Sequence, residues 1–387
     1  MSSLQASWNY PTAIRAGAGS ISSLVDSCRG LNMQAPLLIT DPGLVDLPMV
    51  RSALDSCLKA GLRCDLFSSI QANPNGENVS DGVAAYRLGN HDGIIAFGGG
   101  SALDAAKAVA LMVGQDRPLW DFEDVGDNWT RVNALAVAPV VAIPTTAGTG
   151  SEVGRASVIT DTQQHVKRII FHPTMLPSQV ILDPELTLGL PANITAATGM
   201  DALSHSLEAL CSPYYHPMAE GIAIEGIRLV KEYLPRAVAD GGDIEARSQM
   251  LVASSMGATA FQKGLGGMHA IAHSLGALYG SHHGLLNAIL MPYLLVANQT
   301  VIEEPISRLS RYLDLSNPGF DSFLNWVLGM REQLDIPHSL AAIDIDDQQA
   351  KLVGSMSAAD PSASGNPIPF TAEQYSQIFA NAVSGKL

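Results

Sequence analysis

The sequence runs, from residue 93 to residue 110, GIIAFGGGSALDAAKAVA. A short apolar run is typical of a buried strand, and the Ala-rich segment after it is typical of a helix. The glycines at 98–100 lie between them, and without β-carbons they let the backbone approach a ligand closely. Ser101 and Asp104 have the spacing of a capping box at a helix start. Because a helix N-terminus attracts anions, the stretch predicts a pyrophosphate loop; a plain strand-to-helix turn is the other interpretation of this segment alone.

Two further apolar runs, PLLIT at 36–40 and VVAIP at 140–144, each end in turn residues. Helix-like stretches lie between the runs at 36–40 and 93–97, and this order is typical of parallel strands covered by helices. Asp41 follows the first run, and the second leads into PTTAGTGSE at 144–152. Polar residues at three strand ends on one sheet edge predict a nucleotide crevice, in which Asp41 would bind the ribose and repel a 2′-phosphate. Taken singly, Asp41 also fits a turn or helix-cap role.

The character of the sequence changes after Pro191. Apolar residues there recur with helical spacing, which predicts helices over 194–210, 217–235, 244–262 and 285–298. The stretch 182–193, with two prolines and a glycine, is the predicted junction. We therefore predict an α/β dinucleotide-binding domain with a Rossmann-like parallel sheet over 1–187 and an all-α domain over 188–387.

Composition limits the classes of function. The 387 residues carry a formal net charge of −15, which leaves too little positive charge for a nucleic-acid partner. The start lacks the pattern of a signal peptide, and no run of about 18 apolar residues is free of polar interruption, so a cytoplasmic protein without a membrane partner is expected. The four cysteines form no C-x-x-C pair. A metal would therefore be held by nitrogen and oxygen atoms.

The segment 267–284, GMHAIAHSLGALYGSHHG, contains four of the ten histidines. His269 and His273 are four residues apart, as are Asp201 and His205 on an earlier predicted helix, so each pair lies on one helix face, and His282 and His283 follow about two and a half turns later. One carboxylate and three imidazoles would suit Fe²⁺ or Zn²⁺ and leave a position open for substrate. The alternative is an ordinary hydrogen-bonded histidine, which is the interpretation adopted for His91, His165, His172, His216 and His338.

Four motifs in this order, GGGSALDAAK, PTTAGTGSE, ATGMDALSHSLEA and the histidine segment, resemble the iron-containing (group III) alcohol dehydrogenases. The likeness covers nearly the whole chain. It implies the dehydroquinate synthase-like architecture, with a dinucleotide-binding domain, a helical domain and a metal in the cleft between them. Matched residue by residue, it implies the metal ligands Asp201, His205, His269 and His283, with His273 beside the substrate and His282 without a role.

The resemblance also implies the cofactor site. Asp41 matches the ribose contact and Lys167 a lysine near the cofactor. The pyrophosphate loop matches Gly98, Gly99, Gly100 and Ser101, to which we add Asp104 of the helix that follows. The segment beside the nicotinamide matches Thr145, Thr146, Thr149 and Ser151.

These parts predict hydride transfer between a small primary alcohol or aldehyde and NAD(H), with NADP(H) as the alternative. A divalent ion, Fe²⁺ or else Zn²⁺ or another metal, would lower the pKa of the substrate hydroxyl, and His273 would relay the proton. The pocket is expected to include Ala260, Phe261, Gln262 and Leu265, and the protein to form a homo-oligomer, dimeric or larger.

Two other functions fit parts of the pattern. A dehydroquinate synthase-type lyase shares the fold and uses NAD, but its phosphate- and carboxylate-bearing substrate needs several basic residues, and only Lys263 lies near the metal motifs. A non-catalytic NAD- or metal-binding protein would have no reason to combine the two sites.

Overall fold

The computed structural model describes residues 8–10, 12–164 and 166–387. Residues 1–7, from which the absence of a signal peptide was inferred in part, and His165 lie outside the described residues. The chain divides into two compact units, Tyr10–Gly189 and a second unit that contains Leu190–Leu387 together with Trp8 and Asn9. The division falls within the predicted junction at 182–193.

The first unit contains a parallel sheet whose strand order, in the described residues, is β1-β8-β5-β4-β2-β3, with a separate antiparallel hairpin, β6-β7. The strands are β1 (Ala13–Ala16), β2 (Pro36–Ile39), β3 (Asp65–Phe67), β4 (Gly93–Gly98), β5 (Val140–Pro144), β6 (Ala156–Asp161), β7 (Val166–Phe171) and β8 (Gln179–Leu182). The helices are α1 (Leu24–Gly30), α2 (Pro48–Lys59), α3 (Gly76–Leu88) and α4 (Gly100–Met112).

The three predicted strands are confirmed as β2, β4 and β5, which are adjacent and parallel. Ile39 is in register with Ala96, and Gly98 with Pro144. The chain therefore leaves all three strands at the same edge of the sheet, as the sequence predicted. The three-residue β3 and the hairpin were not predicted from the sequence.

One face of the sheet supplies the core beneath α1 and α2. Alternating residues of β4, Ile95 and Phe97, join Leu38 and Ile143 in a fully buried cluster with Cys57 of α2. Alternation in a strand turns the intervening residues to the other face, and α4 packs against β4 and β5. Burial on both faces explains why these strands read as continuous apolar runs.

The predicted capping box at α4 is wrong. The helix begins at Gly100 with Gly99 as its N-cap, and none of the described side chains caps it. Ser101 is thus the second helical residue rather than the cap, so Asp104 lies beyond the position from which a box could close. The first-turn N–H groups consequently receive no side-chain cap.

The second unit is helical, as predicted. Its helices are α5 (Ala192–Cys211), α6 (Pro217–Ala239), α7 (Ile244–Ala260), α8 (Gly267–Tyr279), α9 (His283–Tyr312), α10 (Phe320–Gln333), α11 (Ala350–Ala359) and α12 (Ala372–Ser384). By length and composition α9 could cross a membrane, but 67% of its most apolar window is buried in the protein. It packs against α5, α8 and α10, which is the environment of a core helix.

Gly284 lets the first turn of α9 approach α5 closely. A methyl group at this position would lie 2.5 Å from the carbonyl oxygen of Ala197 and 3.1 Å from Cβ of Asp201. Only hydrogen fits at so short a distance, because the neighbouring atom is backbone and cannot rotate away. The approach brings the start of α9 beside Asp201.

We predict that Gly284→Ala lowers the free energy of unfolding by about 1–3 kcal/mol, because the added methyl group overpacks the contact between α9 and α5. Urea unfolding of the metal-free protein, followed by far-ultraviolet circular dichroism, measures the change. The matched control is Gly221→Ala in α6, where nothing lies within 4 Å of the added methyl group. The control should gain about 0.5–1 kcal/mol through helix propensity. Equal effects of the two substitutions would contradict the packing argument.

Candidate active site

The glycine loop after β4 is surrounded by residues that the sequence assigned to the cofactor. A methyl group on Gly98 would lie 3.2 Å from Oδ2 of Asp41, and one on Gly99 would lie 3.5 Å from Oγ1 of Thr146. Thr145 donates its backbone N–H to the carbonyl of Gly98 at 2.9 Å. The ends of β2, β4 and β5 therefore form one group of polar residues around the loop.

Asp41 is half-buried beside this loop. Burial raises the pKa of its carboxyl, although hydrogen bonds from backbone N–H groups, including that of Gly43 at 3.0 Å, oppose the shift. A hydroxyl donor would compensate this burial. A ribose hydroxyl is such a donor, so the half-buried carboxyl agrees with a ribose contact.

Asp104 anchors the segment after β5 and does not point to solvent. Its Oδ1 accepts a hydrogen bond from Ser151 Oγ at 2.5 Å, and its Oδ2 accepts one from the backbone N–H of Val158 at 2.9 Å. Lys107 Nζ lies 3.3 Å from Oδ1 and donates to the carbonyl of Ala156. Both carboxylate oxygens are thus engaged within the protein, so Asp104 positions Ser151.

Lys107 is fully buried in α4. Burial lowers the pKa of its ammonium group, against the opposing charges of Asp104 and Glu152. This buried charge cluster joins α4 to the hairpin and to the segment after β5.

Lys167, on β7, reaches the loop region through one intermediate residue. Its Nζ donates to Oδ1 of Asn73 at 2.9 Å, and the backbone N–H of Asn73 lies 3.4 Å from Oγ of Ser101. Thr149 is also close, because a methyl group at Gly100 would lie 2.5 Å from its Cγ2. The structure thereby brings the predicted cofactor residues together in the first unit.

In the second unit, three buried side chains converge. Asp201 and His205 of α5 and His269 of α8 each offer a ligand atom, and these atoms lie within 4.8 Å of one another. Their exposed fractions are 2%, 4% and 1%. The rings of His205 and His269 are stacked with centroids 4.8 Å apart. The i, i+4 spacing on α5 is therefore used to aim two side chains at one point.

His283, the first residue of α9, lies beside this group. Its Nε2 lies 3.7 Å from Asp201 Oδ1, and its side chain is 24% exposed, more than the other three. Asn287, one turn later and fully buried, places Nδ2 2.8 Å from Asp201 Oδ1 and 3.2 Å from Nε2 of both His269 and His283. Sequence reasoning missed Asn287, although its position four residues after His283 is a signal that could have found it.

A second missed residue, Glu208, lies behind His269. The imidazole Nδ1 of His269 is 2.6 Å from Glu208 Oε2. Burial would lower the pKa of His269, but the charge and hydrogen bond of Glu208, with the charge of Asp201, raise it above its ordinary value. Glu208 follows His205 by three residues on the same helix face, so its spacing also contained a signal.

His273 has a separate carboxylate partner. Its Nδ1 lies 3.0 Å from Asp360 Oδ2, and its ring stacks on His283 with centroids 5.3 Å apart. Burial raises the pKa of Asp360, but His273 and the N–H of Ser362 outweigh this effect and hold it below the ordinary value. His282, which had no assigned role, accepts the N–H of Leu285 at 3.3 Å as the N-cap of α9.

The described histidines that were interpreted as structural have such contacts. His91 Nδ1 lies 2.9 Å from the carbonyl oxygen of Ala35, and His338 Nε2 lies 3.1 Å from that of Gly385. His172 caps the short 3₁₀ helix Pro173–Met175, and His216 caps α6.

Two residues before the histidine segment have partners within the protein. Oε1 of Gln262 accepts the backbone N–H of Asn9 at 2.8 Å, and its Nε2 donates to the Asn9 carbonyl at 2.6 Å; its place in the pocket stays a prediction. Lys263 Nζ pairs with Glu220 at 3.0 Å and with the carbonyl of Leu210. Phe261, in contrast, lies edge-on to the ring of His205 with centroids 5.2 Å apart.

The donor set fits a divalent cation of the Fe²⁺ or Zn²⁺ type. One carboxylate and imidazole nitrogens gather in a nearly dry volume, whereas Mg²⁺ and Ca²⁺ prefer all-oxygen sites. Within the described part of the chain, Asn287 Oδ1 is a buried atom without a hydrogen-bond partner beside this group. The glycine loop likewise fits a pyrophosphate, because a β-carbon at Gly99 would fill space that the backbone leaves open.

Comparison with known proteins gives a consistent result. A family model described as iron-containing alcohol dehydrogenase matches residues 11–184, and the C-terminal model of the same family matches residues 195–383. The chain is 36% identical to 4-hydroxybutyrate dehydrogenase of Cupriavidus necator, over 97% of this chain and 99% of that protein. It is 32% identical to the NAD-dependent methanol dehydrogenase of Bacillus methanolicus, over 96% and 98%.

Among solved structures, a 1,3-propanediol oxidoreductase superposes with a TM-score of 0.93 at 32% identity, over 97% of this chain and 100% of that one. The chain therefore belongs to the iron-containing alcohol dehydrogenase family. It is an oxidoreductase that acts on CH–OH groups, and the lyase and non-catalytic alternatives are set aside.

Proposed function

We propose that this protein is an NAD(H)-dependent, iron-containing dehydrogenase that interconverts a small primary alcohol and its aldehyde. The observation that carries the proposal is the convergence of Asp201, His205 and His269 in a nearly dry site. In this proposal those three residues and His283 hold the metal. When bound there, a divalent cation polarises the carbon–oxygen bond of the substrate and lowers the pKa of its hydroxyl group.

Alcohol oxidation removes a hydride from carbon and a proton from oxygen. NAD⁺, when bound, supplies the hydride acceptor. His273 is the residue proposed to take the hydroxyl proton. Because Asp360 holds its Nδ1, Nε2 is the ring atom left to face a substrate, and the stack on His283 fixes the plane of the ring.

The first unit is proposed to bind the dinucleotide. Gly98, Gly99, Gly100 and Ser101 would hold the pyrophosphate at the start of α4, where the N–H groups receive no cap from any side chain in the described part of the chain. Thr145, Thr146 and Thr149 would lie toward the nicotinamide, with Ser151 held by Asp104 and with Lys167 nearby. Asp41 would bind the ribose.

We infer an uncharged substrate. Lys263, the cation nearest to the histidine segment in sequence, is already paired with Glu220, and Phe261 adds an apolar surface beside His205. A relative is named for 4-hydroxybutyrate, and a carboxylate of that kind would need a cation to bind it. We further propose a cytoplasmic homo-oligomer. The free cysteines agree with a reducing compartment, and the edge strand β1, whose four residues are all exposed, offers a surface for association.

The test of the function is an absorbance assay for NADH. Protein stripped with a chelator and reloaded anaerobically with Fe²⁺ should reduce NAD⁺ with 1-butanol or 1,3-propanediol, and kcat/KM should be lower with 4-hydroxybutyrate. The stripped protein without added metal is the control and should be inactive. Failure of the reloaded, folded protein to turn over any primary alcohol would contradict the proposal, and a preference for 4-hydroxybutyrate would contradict its substrate class.

A second prediction concerns the choice of dinucleotide. Because a carboxylate repels a 2′-phosphate, Asp41→Gly should raise the ratio of kcat/KM for NADP⁺ to that for NAD⁺ by about tenfold or more, which corresponds to ~1.4 kcal/mol. The control is Asp46→Gly, which removes the same charge from an exposed side chain paired with Arg51. An unchanged ratio in Asp41→Gly, or equal changes in both variants, would remove Asp41 from the ribose site.

A further inference from the structure

The carboxylate of Glu208 collects three hydrogen bonds although it is nearly buried. Its Oε2 lies 2.8 Å from the backbone nitrogen of Gly266 and 2.6 Å from Nδ1 of His269, and its Oε1 lies 2.7 Å from the backbone nitrogen of Met268. The exposed fraction of Glu208 is 8%. One side chain of α5 therefore holds both the start of α8 and the first imidazole of that helix.

These contacts determine which ring nitrogen of His269 carries its proton. Two of the partners are backbone N–H groups, which can only donate, and they point at both oxygens. A carboxylate that receives them accepts hydrogen bonds and offers none. Nδ1 of His269 must therefore donate as well. Nε2 is left with its lone pair, and it faces the group formed by Asp201 and Asn287.

We propose that Glu208 is a positioning residue that makes Nε2 of His269 the metal-binding atom and fixes the orientation of the ring. The inference rests on the proposed metal site. A carboxylate bonded to the outer nitrogen of a ligating imidazole orients the ring and raises its basicity, so its loss weakens metal binding without removing a ligand.

The second histidine of α8, His273, also has a carboxylate partner, and this pair serves as the comparison. Asp360 bonds to Nδ1 of His273 at 3.0 Å and also accepts the N–H of Ser362 at 2.8 Å. Asp360, which follows α11, thus combines an imidazole with a backbone donor, as Glu208 does. Its imidazole partner, His273, lies one helical turn after His269 on α8. The difference is that His273 is not proposed to bind the metal. Neutralising Asp360 should therefore leave metal affinity unchanged.

The experiment compares Glu208→Gln with Asp360→Asn in the full-length, metal-free protein. An amide has one acceptor oxygen, and backbone N–H groups face both oxygens of Glu208, so one of them faces the NH₂ group of Gln in either amide orientation. Where the NH₂ group also faces His269, the ring must change tautomer and place its hydrogen on Nε2. We expect the Zn²⁺ dissociation constant, measured by competition with a chromophoric chelator, to rise about 10–100-fold in Glu208→Gln. Asp360→Asn should bind Zn²⁺ as the wild type does.

A readout independent of folding is the ring of His269 itself. Long-range ¹⁵N–¹H spectra of histidine-labelled apoprotein should show the Nδ1–H form of His269 in the wild type. In Glu208→Gln they should show either a changed Nδ1 shift, from the weaker hydrogen bond to an amide oxygen, or loss of the Nδ1–H form, while circular dichroism shows retained helix. If Glu208→Gln does not fold, Glu208→Asp replaces it. That variant keeps the charge, so it should retain the Nδ1–H form and bind Zn²⁺ with intermediate affinity.

Wild-type Zn²⁺ affinity in folded Glu208→Gln, or in Glu208→Asp where that variant is needed, would overturn the inference. Equal weakening in Asp360→Asn would overturn it too. The proposed metal site is tested separately by His269→Ala: if this variant binds Zn²⁺ as the wild type does, the site itself is wrong, and the role of Glu208 falls with it.

Discussion

Three candidate metal-binding side chains and a fourth at their edge share a small, nearly dry volume, and the packing of the helical unit satisfies this constraint. Asp201, His205 and His269 are each at most 4% exposed. Buried acceptors that face one another are unfavourable unless a cation or N–H donors lie between them. Asn287 supplies such donors from α9. Three helices must therefore meet at one point, and the absence of a side chain at Gly284 permits the close approach of α9 to α5.

Around this group lies a layer of carboxylates that hold the imidazoles from outside. Glu208 and Asp360 come from different parts of the chain and bond to the two histidines of α8. The first unit also contains a carboxylate that accepts hydrogen bonds with both oxygens. Asp104, with Lys107 beside it, fixes Ser151 and the hairpin near the glycine loop. In both units a buried acidic residue positions the groups proposed to act, because its hydrogen bonds specify orientation as well as distance.

The sequence predicted the parts of this arrangement that depend on local pattern. The apolar runs that became β2, β4 and β5 and the helical second unit follow from hydrophobic periodicity, and the approach of Asp201 to His205 follows from helix spacing. The hairpin was missed because its strands mix polar and apolar residues and lack a continuous apolar run. Asp360 could not be paired with His273 from spacing, since 87 residues separate them and only tertiary packing brings them together. The capping box failed because the helix begins one residue before Ser101.

The division between ligands and neighbours within the histidine segment is the central claim, and metal content per subunit tests it most directly. Wild type, His269→Ala, His283→Ala and His273→Ala would be purified anaerobically, loaded with Fe²⁺, passed through a desalting column and analysed for iron. We predict that His269→Ala and His283→Ala lose the metal, because the remaining ligands hold a divalent ion far less firmly, whereas His273→Ala retains wild-type content. Loss of iron from His273→Ala as complete as that from His269→Ala would contradict the account and place His273 among the ligands.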